Sequence, residues 1–299
     1  MNKNDNGLVG WPTGSPGTNQ HYFFNALLDS SLILATNNET YNLKVIECGN
    51  YIQTYSFNNE KLKKVKGIEK IEDTNKINFI DTDDLVKIDK NIDFKSNENK
   101  IELKNINRSK LECQKLAKAN SSEWRTFITL TFEKNITDID FANKRLKYFR
   151  DKIKRVFKEF KYICIPEFQK RGAVHYHLLT NISIDNERFI FSQDDNKKFK
   201  HIKYWNEGFT KVDNLDKDIK KIVGYISKYM TKEIDNRLFN HRRYFYSRNL
   251  NKPKTIYLDL NNFEHLEYYL KLINGKDEIY KNDYQSSYTQ ELITFREFL

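Results

Sequence analysis

The sequence predicts an α+β fold: an antiparallel sheet with helices packed on one face, preceded by an N-terminal extension. Three observations carry this. Between Arg125 and Glu233 the pattern runs strand, helix, strand, strand, strand, helix, an order in which consecutive strands pair through short connections. Two of the strands are separated only by "KRG" (Lys170–Gly172), a hairpin turn. The chain of 299 residues is 38% hydrophobic and 14% aromatic, which is enough apolar material for a core and argues against global disorder.

Each element has its own signal. Residues 1–20, with "GWPTGSPGTNQ", are rich in Gly, Pro and Ser and read as a flexible leader. Residues 21–120 form a β-containing region of unknown role. Within it "NLKVIECGNYIQTYSF" (Asn42–Phe57) reads as two strands around a Gly-Asn turn. Residues 58–106 are weakly periodic and are expected to be surface loops and short elements. "NRSKLECQKLAKAN" (Asn107–Asn120) reads as a helix.

A core domain is expected over 121–255. "RTFITLTF" (Arg125–Phe132) is β-branched and aromatic, hence a strand. Thr137 followed by Asp140 resembles a capping box with Asp in place of Glu. Ile139, Leu146, Phe149, Ile153, Val156 and Phe160 then recur at helical spacing, with Lys144, Lys147, Lys154 and Lys158 opposite. "KYICIPEFQ", "AVHYHLLTNI" and "GFTKVDNL" are three further strands. "DKDIKKIVGYISKYMTKE" (Asp216–Glu233) is a helix whose apolar stripe is Ile219, Ile222, Val223, Ile226 and Met230. Residues 256–299 remain as a C-terminal tail with helical character.

The formal net charge is +10. A basic balance favours polyanionic partners, because phosphate contacts release condensed counterions. The three cysteines, Cys48, Cys113 and Cys164, lack the close spacing of a zinc knuckle and are expected as free thiols. No apolar run approaches a membrane span and no signal pattern opens the chain, so an intracellular protein is expected.

Two of the six histidines stand one residue apart in an apolar run, "AVHYHLL". In a strand, His175 and His177 share a face. With the hairpin centred on Arg171, Glu167 lies opposite His175 and therefore on that face as well. One carboxylate and two imidazoles suit a divalent ion. A His-x-His alone is more often structural, and a one-residue slip would send Glu167 to the other face.

In the helix Asp216–Glu233, Tyr225 and Tyr229 are one turn apart. Tyr225 falls roughly 120° from the centre of the apolar stripe, among Lys221, Lys228 and Lys232, and Tyr229 roughly 80° from it. Interfacial Tyr and solvated Lys are common on amphipathic helices. The chemical alternative is a phenol whose ionisation neighbouring ammonium groups favour. Beside a metal that polarises a phosphate, such a group suits transfer through a covalent tyrosyl intermediate.

From Arg125 to Pro253 these segments resemble the HUH endonucleases that initiate rolling-circle replication. The likeness is greatest to initiators of small single-stranded DNA phages of the gokushovirus kind and of plasmids of low-GC bacteria. "FITLTF" is similar to that family's first motif, "EFQKRGAVHYH" to its metal motif and "GYISKYMTKE" to its Tyr-x-x-Lys helix. "WNEGF" and "RRYFYSRNLNKP" fit flanking segments of the same relatives. The resemblance implies an RRM-like core, with Glu167, His175 and His177 holding Mg2+ or Mn2+. It implies Tyr225 as nucleophile, Lys228 as its assistant, and Tyr229 as a candidate second tyrosine of a Tyr-x3-Tyr pair. It further implies nicking of single-stranded origin DNA in a bacterial host cytoplasm, leaving a 5′-phosphotyrosine and a 3′-OH primer. Lys221, Lys232, Arg242, Arg243 and Arg248 are candidate DNA contacts. No Gly-rich Lys-Ser/Thr phosphate loop is found, so a host helicase is the implied partner, together with a host DNA polymerase. Two alternatives stay open: a non-catalytic RRM-like single-strand binder, and a transposase or relaxase using the same chemistry.

Overall fold

The structure, a computed structural model, describes residues 40–63, 97–192, 200–215, 241–286 and 289–299. Two antiparallel sheets dominate it. The strands of the first are β1 (Thr40–Cys48), β2 (Tyr51–Leu62), β10 (Lys254–Leu258), β11 (Glu278–Gln285) and β12 (Leu292–Phe298), in the order β10-β1-β2-β12-β11. The second contains β3 (Thr126–Thr131), β4 (Tyr162–Phe168), β5 (Val174–Thr180), β6 (Ile190–Ser192), β7 (Lys200–Ile202), β8 (Thr210–Asn214) and β9 (Phe245–Tyr246), ordered β6-β7-β8-β3-β5-β4-β9. The described helices are α1 (Asn97–Ala119), α2 (Ile139–Val156) and α3 (Phe263–Ile273).

The second sheet is built from alternation. Ile128, Leu130, Cys164, Tyr176 and Leu178 face α2 and pack on its Ala142, Leu146, Phe149 and Ile153. The intervening residues Phe127, Ile163, Ile165 and Leu179 face the other way and meet Cys113, Leu116 and Ala117 of α1. Helices on one face only were expected. Instead α1 covers part of the second face, because Phe127, Ile163 and Leu179 are too apolar to leave in water. The central strands are buried on both sides, and β5 is buried along its whole length.

The β4–β5 hairpin turns where expected. The Gly172 amide donates to the Gln169 carbonyl (2.8 Å), and Gly172 adopts φ 90°, a region that favours glycine. Pro166 lies in β4 beyond Ile163 and Cys164, the two residues that β9 covers, so its missing N–H disrupts no outer ladder.

Three local expectations need correction. The cap of α2 is Asp138, not Thr137: its carboxylate accepts from the amides of Asp140 and Phe141, because an Asp oxygen one residue before the helix reaches both. Val156 is 39% exposed, and Phe160 is buried but lies beyond the helix end at Phe157. The weakly periodic stretch 58–106 includes the end of β2, through Leu62, and the first turns of α1 from Asn97.

The first sheet joins segments that the sequence reading keeps apart. β10 pairs with β1, and β12 with β2, so residues 256–299 complete the sheet begun by residues 40–62. Helix α1 lies between the sheets. Ala119 packs on Ile46, Cys48, Tyr51 and Phe295 of the first, while Cys113, Leu116 and Ala117 pack on the second. Lys118 and Glu297, both nearly buried, form an ion pair that ties α1 to β12.

Candidate metal and nucleic-acid site

Strand pairing settles the register on which the candidate site depends. Glu167 and His175 are cross-strand partners between β4 and β5. Thr131 pairs with His175, and Thr129 with His177, between β3 and β5. By alternation Glu167, His175, His177, Thr129 and Thr131 therefore share one face. The opposite face carries Tyr176, whose hydroxyl donates to Asn143 Oδ1 of α2 (2.8 Å) and whose phenol burial pushes well above its ordinary pKa. The middle residue of His-Tyr-His is thus part of the core and holds the strand against α2.

The imidazoles are nearly sealed, at 7% exposure for His175 and 4% for His177. His177 Nε2 is in direct hydrogen-bond contact with Glu167 Oε2. With its proton on Nε2, His177 donates to Glu167 and accepts at Nδ1 from the Thr129 hydroxyl, 3.2 Å away. The Phe127 ring stacks near His177, with centroids 5.7 Å apart and planes at 12°. Gln169 Nε2 lies 3.3 Å from His175 Nδ1.

In kind, these donors fit a divalent ion. A carboxylate and two imidazoles are on one face, and Thr129 and Gln169 occupy the Nδ1 sides, as second partners of metal-bound histidines commonly do. Among the described residues, no three His, Cys, Asp or Glu side chains form a closed metal centre. The reason is visible: Glu167 is engaged with His177. An ion would have to replace that hydrogen bond.

Arg242 and Arg248 are exposed and Arg243 is half-buried, all flanking edge strand β9. Tyr246 pairs with Ile163, so Tyr246 and Tyr244 face the histidine side. Their rings stack at 5.8 Å and 28°, and Lys252 Nζ lies 3.9 Å over Tyr246. Tyr225, Lys228, Tyr229, Lys221 and Lys232 lie outside the described residues, so the geometry bears only on the metal half of the site and on the arginines.

Thr129, Phe127 and Gln169 escaped the sequence reading. Thr129 and Phe127 sit in a recognised strand, but nothing local says that it adjoins β5. Gln169 had a usable signal, since it is two residues past Glu167 and so on the same face.

No described helix is long and apolar enough to cross a membrane. Residues 125–234 match a family model of replication-associated proteins, the ORF2 type. The chain is 28% identical over 128 residues to the phasyl DNA replicon protein arp of Escherichia coli, a match covering 37% of this chain and 44% of that protein. No solved structure matches. Thus the segment that contains the Glu167–His175–His177 sheet, and both tyrosines of the Tyr-x3-Tyr pair, is the segment similar to replication-associated proteins.

Proposed function

We propose that this chain is a replication initiator of the HUH type that nicks single-stranded origin DNA. The observation that carries the reading is the cross-strand pairing of Glu167 with His175, two residues from His177. The match of residues 125–234 to replication-associated proteins adds support.

In this reading Glu167, His175 and His177 hold a divalent ion, and imidazole donors suit Mn2+ better than Mg2+. When bound, the ion supplies positive charge to the scissile phosphate. Thr129 and Gln169 keep the two imidazoles oriented. The Tyr225 phenol, its ionisation favoured by Lys228, attacks the scissile phosphorus and gives up its proton. The P–O3′ bond breaks, and the departing 3′ oxygen takes a proton. The products are a 5′-phosphotyrosine on the protein and a free 3′-OH, which primes a host polymerase. Tyr229 is placed for a second transfer. Lys221, Lys232, Arg242, Arg243 and Arg248 contact phosphates, a host helicase opens the duplex, and the work is done in a bacterial cytoplasm.

The test is a covalent adduct on a denaturing gel after incubation with single-stranded origin DNA and Mn2+. Tyr225→Phe should remove the adduct and EDTA should prevent it. An adduct lost in Tyr229→Phe but kept in Tyr225→Phe overturns the nucleophile assignment.

A further inference from the structure

Beyond the histidines, the same face of the sheet carries a row of aromatic rings that the proposed chemistry does not use. Phe191 of β6 is the cross-strand partner of His201 of β7, and their rings lie 5.6 Å apart. His201 in turn meets Phe209 edge-on at 5.0 Å. Phe209 immediately precedes β8, and its carbonyl accepts from the Thr131 amide (2.9 Å). Thr131 pairs with His175, and His175 with Glu167. One line therefore crosses the sheet through Phe191, His201, Phe209, Thr131, His175 and Glu167. At a strand spacing of about 4.8 Å, Phe209 lies roughly 10 Å from His175.

The aromatic end of this line is concave. Phe191, His201 and Phe209 line a cleft of about 380 Å³ floored by Trp205, Ile202 and Thr210, with Glu133 as the charged residue of its lining. It is a built feature. The Trp205 indole donates to the Thr131 carbonyl (3.0 Å), and the Ile202 amide donates to Thr210 Oγ1 (3.1 Å). Gly208 adopts φ +154°, and a Cβ there would stand 2.3 Å from the Glu133 nitrogen, so no other residue lets the loop come this close to β3. Phe209 is 56% exposed and Phe191 39%. Two large rings left in water beside a cleft carry an unfavourable exposure that a stacking partner would relieve.

We propose that this cleft is a nucleobase subsite. An unpaired base of the single strand stacks on Phe209 and Phe191, and its backbone continues across the sheet toward His175 and Glu167. The occupant follows from the page. The rings offer flat π faces, Glu133 accepts from base amino or imino groups, the net charge is +10, and the cleft is continuous with the candidate metal face. The inference rests on reading the chain as a single-strand binder, and it adds where a base is gripped and in which direction the strand runs.

The test uses the full-length chain in EDTA, where no cleavage is expected, with an iodouracil-substituted oligodeoxythymidylate as probe. Photo-crosslinks are mapped by peptide mass spectrometry, and affinity is read by fluorescence anisotropy. Crosslinks should fall on Phe209 or Phe191. Phe209→Ala and Phe191→Ala should each weaken binding about 5- to 100-fold, while Phe209→Tyr, which keeps the ring, should bind like the parent. Crosslinks confined to Tyr244 and Tyr246, or unchanged affinity in both alanine variants, overturn the proposal. Crosslinks at Phe209 in a chain that never forms the Mn2+-dependent adduct leave this subsite standing and remove the nicking chemistry instead.

Discussion

Buried polar side chains on the histidine face cannot be indifferent to one another. His177 touches Glu167 through Nε2 and Thr129 through Nδ1, so both ring nitrogens are committed. If an ion takes Nε2, the proton moves to Nδ1 and Thr129 becomes the acceptor; a hydroxyl serves either way, and a methyl cannot. Thr129→Val should therefore weaken Mn2+ binding about 10- to 100-fold, with Thr129→Ser near the parent, read by isothermal titration. Unchanged affinity in Thr129→Val would remove Thr129 from the site. A second residue-scale prediction concerns the cysteines. All three are buried, and desolvation pushes the Cys48 thiol up to about 12 and raises Cys113 and Cys164 as well. A raised thiol pKa means the protonated, unreactive form near neutrality. A disulfide-exchange reagent at neutral pH should find no fast-reacting thiol in the folded chain and three after denaturation; rapid labelling of any of them in the native protein contradicts this burial.

Among the elements, α2 and the β4–β5 hairpin place the site, and they are also the most legible in the sequence. The stripe Leu146, Phe149 and Ile153 has helical period, and these residues are buried as that period requires. The hairpin register can be argued because three turn residues leave little freedom, so the sequence alone matches Glu167 to His175. Partners separated by long stretches of chain are not legible. Nothing in "FITLTF" says that Thr129 will sit beside His177 rather than elsewhere, and nothing in "GFTKVDNL" says that Phe209 will meet His201. Caps are readable only to within a residue, since Thr137 and Asp138 are both good cap types. The packing implies a ranking. Leu146→Ala, at a fully buried position, should cost about 2–5 kcal/mol in chemical denaturation. Asp138→Ala removes two amide contacts at an exposed cap and should cost about 1 kcal/mol. A reversed order would mean that α2 is not held mainly by its apolar face.

Across the whole molecule, two sheets share one helix. Phe298 pairs with Ile52, a closure nearly the length of the chain that no local pattern signals, which is why residues 21–120 and 256–299 read as separate. The buried Lys118–Glu297 pair, with Gln53 Nε2 also donating to Glu297 (2.9 Å), stands where this first sheet meets α1. Glu297→Ala would strand the Lys118 ammonium among apolar neighbours and should destabilise the chain by about 3–5 kcal/mol. A loss below about 1 kcal/mol, the range of an exposed pair, would mean that the sheet and α1 are not coupled through this pair.

The central claim is that Glu167, His175 and His177 act together on one ion. Titrating the full-length chain with Mn2+ and following the free ion by electron paramagnetic resonance tests it most directly. One site is predicted in the parent. Glu167→Ala, His175→Ala and His177→Ala should each weaken it at least about tenfold while circular dichroism shows a folded chain. Equal Mn2+ binding by the parent and all three folded variants would contradict it.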